Sequence, residues 1–133
     1  MPIAAPRLVL LDSVTQVEPA HAGCLVVTGS HGGASVVPYA RAVHGWLYVF
    51  NDAGVGKDGA GIAALELLAA DGIAAATVAH SSARIGEAAD SWEHGVVSHL
   101  NVAARKLGLE VGTPLKTQVE PAWSDPRRPV PIQ

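Results

Sequence analysis

The sequence lacks several features that mark specialised classes of protein. Cys24 is its only cysteine, which excludes an intrachain disulfide framework and favours a reducing, cytoplasmic location. Apart from Arg127-Arg128 the chain has no cluster of basic residues, so it carries no electrostatic signature of nucleic-acid binding. No apolar run approaches the roughly 20 residues of a membrane-spanning helix, and the first residues do not have the pattern of an export signal. We therefore expect a cytoplasmic protein that binds neither nucleic acid nor membranes.

What the chain does have is enough apolar residues for one core. Of its 133 residues 49% are hydrophobic and the formal net charge is -3, which is typical of a folded domain. We interpret residues 1–120 as a single α/β domain and residues 121–133 as a proline-rich C-terminal tail, with irregular structure after Thr113. A small domain with excess apolar residues often places some of them in subunit contacts. We therefore expect a homo-oligomer or, alternatively, a subunit of a larger enzyme.

Short apolar runs alternate with segments of helical periodicity along the middle of the chain. This alternation predicts a small three-layer α/β/α sandwich with a mostly parallel sheet. A further strand at 7–11 is joined to the next by a link too short for a helical crossover, so we expect it to be antiparallel or at the sheet edge. The last predicted helix begins at a capping box that starts with Asp90. The predicted strands are 24–28, 46–50 and 73–78, and the predicted helices are 34–44, 61–69 and 90–107.

Polar, titratable and glycine residues concentrate where the three predicted parallel strands end. The opposite ends of the same strands carry plain connectors such as Asp71-Gly72. Because the carboxyl ends of parallel strands share one edge of a sheet, where ligands bind, this asymmetry indicates a small-molecule site. The predicted ligand-binding residues are Ser30, Gly32, Gly33, Asn51, Gly54, Gly56, Ser81, Ser82 and Arg84, and the candidate catalytic residues are Asp52, His80, His31 and Lys57.

The predicted ligand is a small anionic metabolite, in particular one that bears a carboxylate. Backbone N–H groups at Gly32-Gly33 and in the loop Gly54–Gly59 precede predicted helices, where unpaired donors and the helix dipole favour negative charge. Arg84 and Lys57 would add charge-assisted contacts.

Asp52, His80 and His31 are the candidates for general acid–base catalysis, which predicts a hydrolase, lyase or isomerase. The same three side chains could instead converge on a divalent metal ion, although no metal-binding motif such as H-E-x-x-H is present. A second interpretation is a non-catalytic regulatory or structural subunit that captures the same kind of anion. It differs in needing Arg84 and the glycines but not Asp52 or His80.

The loop Gly54–Gly59 also matches the pattern G-x-G-x-x-G of dinucleotide-binding proteins, after a strand and before a helix. Two features oppose this interpretation. Residues 51–53 separate the strand from the first glycine, and Asp58 would place negative charge beside a pyrophosphate. NAD(P) binding is therefore the lesser alternative. On the last predicted helix, His99 and Asn101 are expected to serve packing.

Overall fold

The computed structural model describes residues 6–123, with side chains through residue 119. Within that range the chain forms one five-stranded sheet with helices on both faces. Of the predicted tail at 121–133, only residues 121–123 are described, and 124–133 lie outside the described residues. No helix in the described range is long and apolar enough to cross a bilayer.

Strands and helices alternate from the second strand to the fourth. Short 3-10 segments precede α1 and α2 and replace a helix between the first two strands. The strands are β1 (Leu8–Leu11), β2 (Leu25–His31), β3 (Leu47–Asn51), β4 (Ala75–Val78) and β5 (Val97–Leu100). The α-helices are α1 (Val37–Ala42), α2 (Ala63–Ala69), α3 (Ala88–His94), α4 (Val102–Arg105) and α5 (Leu115–Trp123).

The strands lie in the sheet in the same order as in the sequence, from β1 to β5. The first four are parallel and β5 is antiparallel to β4. The predicted edge position of the N-terminal strand is confirmed, whereas its pairing is parallel, with Leu8 opposite Leu25. Two 3-10 turns, Val14–Gln16 and Pro19–His21, make the short connection that a helix could not.

Alternate residues of each strand supply two separate cores. Val26 and Tyr48 face α1 and α2, while their neighbours Val27 and Val49 face α3, α4 and α5. All four side chains are fully buried. Side chains that point alternately to two buried faces are what a sheet covered on both sides requires. The predicted three-layer α/β/α sandwich is confirmed.

The predicted helix 90–107 is wrong, because a strand interrupts it. Helix α3 ends at His94, and Gly95 adopts an extended conformation in which a Cβ would lie 2.3 Å from the Ser91 carbonyl oxygen. The β-branched Val96 and Val97 then lead into β5, which pairs with β4. Pairing with an otherwise open strand edge outweighs a helical pattern of apolar residues here.

The predicted capping box is also absent from the start of α3. The helix begins two residues before Asp90, which therefore lies in its first turn. Asp90 instead accepts from the Arg84 amide at 2.8 Å and contacts the His94 ring at 2.8 Å. A true side-chain cap occurs further on, where Asn101 accepts from the Ala104 amide at 2.9 Å and starts α4.

Residues Leu115–Trp123 form a helix, where the sequence predicts irregular structure. Helix α5 contributes Leu115 and Val119 to the core on the α3 face, where both are buried. The helix continues through Pro121 to Trp123.

Candidate functional site

The C-terminal edge of the sheet has one place where the connections change faces. The link after β3 leads to α2, whose Leu68 packs on one face, whereas the link after β4 leads to α3, whose Trp92 packs on the other. Connections that leave neighbouring strands in opposite directions open a crevice between the strand ends, where α/β proteins bind ligands. Asp52 and His80 follow these two strands. The topology therefore brings two of the predicted catalytic residues to the same crevice.

Asp52 is a buried carboxylate with only 4% of the residue exposed. Its Oδ1 atom accepts from the backbone amides of Gly54 at 2.9 Å and His80 at 3.0 Å. Burial by itself raises the pKa of the Asp52 carboxyl. Hydrogen bonds from Gly54, from the Ser98 hydroxyl and from His80 outweigh that effect and hold the pKa below its ordinary value. Asp52 is therefore a buried negative charge that the surrounding donors stabilise.

His80 lies over this carboxylate at the protein surface. Its Nδ1 is 3.4 Å from Asp52 Oδ1, and its side chain is 62% exposed. Gly54 lies close to the ring, since a Cβ there would be 3.6 Å from His80 Cε1. A carboxylate beside Nδ1 favours the ring proton on that atom, which leaves the lone pair of Nε2 free in the neutral ring. The Asp52 carboxylate can thus bias the orientation of the His80 ring, and Nε2 is available to exchange a proton with a molecule in the crevice.

A polar network on β4 and β5 adjoins Asp52, and it was not predicted from the sequence. Ser98 Oγ lies 2.9 Å from Thr77 Oγ1 and 3.1 Å from His99 Nδ1. Thr77 is fully buried and Ser98 is half-buried, so the Ser98 hydroxyl provides the buried Thr77 hydroxyl with a hydrogen-bond partner. Helical periodicity had predicted that Ser98 and His99 lie on a helix. The pair of β-branched residues after Gly95 was the available signal for a strand.

The loop after Asp52 has unusual backbone angles at residues other than glycine. Ala53, Val55 and Asp58 have φ values of 52°, 68° and 56°, in the left-handed region. Gly54 and Gly56, at 77° and 74°, adopt similar angles with no steric cost. Each strained residue costs about 1–3 kcal/mol, and such strain concentrates at functional sites. Val55 is the most unusual, because its branched Cβ is least compatible with this region.

The glycine amides predicted to bind an anion donate hydrogen bonds within the protein. Those of Gly32 and Gly33 donate at 3.0 Å to a β3 carbonyl and to the His31 ring. Those of Gly54 and Gly56 donate inside the loop at 2.9 and 2.8 Å. An anion or a dinucleotide pyrophosphate would have to compete with these bonds to use the four amides.

Ser30 and His31 line a different cavity, at the ends of β1 and β2. This cleft has a volume of about 480 Å³, and neither Asp52 nor His80 lines it. The Ser30 hydroxyl accepts from the Val14 amide at 2.9 Å. The structure therefore brings Asp52 and His80 together and places His31 in another environment.

Two of the predicted ligand-binding residues join the strand ends to the loop after β4. Asn51 is fully buried, and its side chain donates to the Ala83 carbonyl at 2.9 Å. Ser82 Oγ donates to the Ala79 carbonyl at 2.7 Å and accepts from the Val96 amide at 2.9 Å. These contacts fix the backbone around the crevice.

The remaining residues that were predicted to contact a ligand have exposed side chains. Lys57 and Ser81 lie at the surface. The Arg84 side chain is 81% exposed and lies 4.0 Å from the Glu87 carboxylate. Among residues 6–119, no group of three or more His, Cys, Asp or Glu side chains is arranged to hold a metal ion. His31, Asp52 and His80 are thus not assembled as a set of metal ligands.

Comparisons with models of known protein families, with curated proteins and with solved structures found no match for this chain. A function for this chain is therefore inferred from the chemistry of its own residues.

Proposed function

We propose that the protein is a small-molecule enzyme in which His80 performs general acid–base catalysis and Asp52 positions it. One observation carries the proposal: a buried, ionised carboxylate lies 3.4 Å from Nδ1 of a histidine whose ring is largely exposed. The reaction class is that of a hydrolase, lyase or isomerase, because each needs a proton taken from one atom and returned to another.

The proposed roles follow from what each side chain can reach. Nε2 of His80 takes a proton from the substrate or from a water molecule, and the ring becomes an imidazolium. Asp52, already negative, stabilises that cation and keeps the ring in one orientation. The proton then returns from Nε2 to the product. Because the Asp52 residue is only 4% exposed, it acts through His80 and does not contact the substrate.

The proposed substrate is a small carboxylate-bearing anion, and the support is the charge beside the crevice. Lys57 lies exposed on the loop that follows Asp52 and forms no ion pair within the described part of the chain. A flexible ammonium group in that position can attract a carboxylate without fixing its geometry. Lys57 would therefore affect the binding of the substrate and not the proton transfer.

The test is turnover of a panel of 2-hydroxy and 2-oxo carboxylates, carboxylic esters and amides, followed by proton NMR. We expect His80→Gln to lower kcat by about 10²–10⁴-fold, the usual contribution of a general acid–base. Lys57→Gln should instead raise KM with little change in kcat. His44→Gln is the matched control, since His44 is an exposed histidine at the opposite edge of the sheet.

A panel member that binds equally to the wild type and to His80→Gln, with no turnover by either, would contradict the catalytic role. That result would favour the non-catalytic anion-binding subunit. Turnover that is unaffected in both His80→Gln and Asp52→Asn would also overturn the assignment.

The proposal extends to a cytoplasmic homo-oligomer. Cys24 is buried and unpaired, as expected for a reducing compartment. Leu10 on β1 is 40% exposed, and no described strand pairs with the outer side of β1. An open strand edge with an exposed apolar side chain can pair with a second copy of the chain. Sedimentation of the wild type and of Leu10→Lys tests this, since the lysine should reduce association.

A further inference from the structure

The cleft at the ends of β1 and β2 has the dimensions of a ligand site that is separate from the Asp52–His80 crevice. Its volume of about 480 Å³ falls in the range of small-molecule pockets. Residues from four parts of the chain line it, among them Asp12, His31 and Ile85. The cleft is therefore a candidate binding site in its own right.

Two side chains in the cleft accept hydrogen bonds from backbone amides, which leaves each with a proton to donate. The Gly33 amide donates to Nδ1 of His31 at 3.0 Å, so the neutral ring carries its proton on Nε2. The Val14 amide donates to Ser30 Oγ at 2.9 Å, which leaves the hydroxyl proton of Ser30 for another acceptor. Both groups can donate to a ligand oxygen.

The cleft also contains one strong acceptor. Asp12 Oδ1 accepts from the Ala88 amide at 2.9 Å, and the second carboxylate oxygen can accept from a ligand N–H. Among the described residues that line the cleft, none is lysine or arginine. A carboxylate ligand would therefore face Asp12 without a compensating cation, which disfavours an anion. A simple ammonium ligand would satisfy Asp12 but leave the two donors without an acceptor.

Apolar side chains form part of the remaining walls, beside the hydroxyl groups of Ser13, Thr15 and Ser35. Val36 is buried, whereas Tyr39 and Ile85 are 39% and 54% exposed. A flat molecule in the cleft would cover the exposed parts of Tyr39 and Ile85, and the burial of that apolar surface favours binding.

We propose that this cleft binds a neutral, flat heterocycle that presents an N–H and a C=O side by side, as a lactam or a pyrimidine base does. The carbonyl accepts from His31 Nε2 and Ser30 Oγ, and the N–H donates to Asp12. The ring lies against Tyr39 and Ile85. This site does not depend on the role of His80, because neither His80 nor Asp52 lines it.

Three pyrimidines that share the same flat ring test the proposal on the wild-type protein. Uracil has both groups, orotate adds a negative charge, and 1,3-dimethyluracil lacks the N–H donors. Titration of the ¹⁵N-labelled protein should shift the amides of Gly29 to His31 and of Ile85 and Gly86. We expect uracil to bind at least about tenfold more tightly than either analogue, which is the value of one lost hydrogen bond or one unpaired charge.

Two variants localise the effect while preserving the protein's own contacts. Asp12→Asn keeps an oxygen for the Ala88 amide but removes the charge, so it should reduce the discrimination against orotate. His31→Asn keeps an oxygen that can accept from Gly33 but lacks the Nε2 donor, so it should weaken uracil binding about tenfold. His80→Gln is the control and should leave uracil binding unchanged.

Three results would overturn the proposal. One is the absence of amide shifts in the cleft with all three probes, and another is orotate binding as tightly as uracil. The third is uracil shifts that map to Asp52 and His80 and disappear in His80→Gln. None of these depends on turnover, so the catalytic proposal and the cleft proposal can fail separately.

Discussion

Two histidines lie at the C-terminal ends of parallel strands of one sheet, yet their surroundings give them opposite hydrogen-bonding roles. At His31, a backbone amide donates to Nδ1 from 3.0 Å. At His80, a carboxylate lies 3.4 Å from Nδ1. The first contact places the proton of a neutral ring on Nε2, and the second favours its position on Nδ1. His31 therefore presents a donor to its cleft, whereas His80 presents a lone pair to its crevice.

The group that contacts Nδ1 determines whether Nε2 of each histidine acts as a hydrogen-bond donor or as an acceptor. The amide of Gly33 comes from the tight turn that follows β2. The carboxylate of Asp52 comes from the end of β3, next to the strand that His80 follows, and it is held by the amides of Gly54 and His80. Changes to these supporting groups should therefore affect the two sites separately.

The largest effects should come from filling the close backbone contacts that support each site. A Cβ on Gly61 would lie 2.0 Å from the Asp52 carbonyl oxygen, and one on Gly29 would lie 2.4 Å from the Gly86 carbonyl carbon. Overpacking typically costs about 1–3 kcal/mol and occasionally more, and contacts this short with backbone atoms should lie at the upper end of that range, about 3 kcal/mol. We expect Gly61→Ala and Gly29→Ala to lower the free energy of unfolding by that amount, measured by urea denaturation.

Gly72→Ala is the matched control for the steric effect. Gly72 has φ of 72°, and a Cβ on it would meet no atom within 4 Å, so only backbone strain opposes alanine there. Its cost should be about 1 kcal/mol. Equal losses in Gly72→Ala and Gly61→Ala would show that the contact between Gly61 and Asp52 is not tight.

Removing the negative charge of Asp52 should have the next largest effect on the free energy of unfolding. Asp52→Asn keeps an oxygen that can accept from Gly54 and His80, but it loses charge-assisted hydrogen bonds worth about 1.5–3 kcal/mol. Because the folded pKa of Asp52 is lowered, its stabilising contribution is complete above the unfolded pKa of about 3.9. The contribution is lost as the pH falls through the folded pKa.

Denaturation of the wild type and Asp52→Asn at several pH values checks this sign. The difference in the free energy of unfolding should be largest near pH 7 and should shrink as the pH falls below about 4. A difference that stays constant across this range would mean that folding does not lower the pKa of Asp52. The analogous change at the other site, Asp12→Asn, should have a smaller effect because Asp12 is exposed.

The sequence was sufficient to predict the three central parallel strands of the sheet and the edge at which polar residues gather. Glycine and polar residues after each buried run mark strand ends, and parallel strands bring those ends together. It was not sufficient to predict the grouping of side chains. Whether His31 lies beside Asp52 or in its own cleft depends on the course of the loops at that edge, and no periodicity encodes that course.

The sequence also could not separate β5 from a helix. A four-residue strand leaves little alternation to detect, and Val96, Leu100 and Ala103 repeat at helical spacing by coincidence. The segment forms a strand because it pairs with the open edge of β4. This pairing also brings Ser98 close to Asp52, so the helical periodicity led to an incorrect prediction for part of the site as well as for part of the fold.

Relieving the strain in the loop that follows Asp52 should have a smaller effect. Val55 has φ of 68°, a backbone conformation that glycine adopts without steric cost. Relief of this strain opposes both the loss of the half-buried side chain and the greater freedom of glycine in the unfolded chain, so we expect Val55→Gly to change the free energy of unfolding little. Val17→Gly is the control: Val17 is also half-buried but has φ of -66°, so glycine there should destabilise the protein by about 1–3 kcal/mol more. An equal loss of stability in both variants would contradict the strain at Val55.

The final prediction involves no change in stability and tests the difference between the two histidines directly. Long-range ¹H–¹⁵N spectra distinguish the two neutral forms of histidine. At a pH where both rings are neutral, we expect the proton of His31 on Nε2 and the proton of His80 on Nδ1. Asp52→Asn removes the negative charge that favours Nδ1–H, so the spectrum of His80 should shift towards the Nε2–H form while that of His31 stays the same. If both rings have the same form in the wild type, the neighbouring groups do not set the proton positions. Asp52 would then not keep the Nε2 lone pair of His80 free, and the proposed role of His80 as a general base would have no structural support.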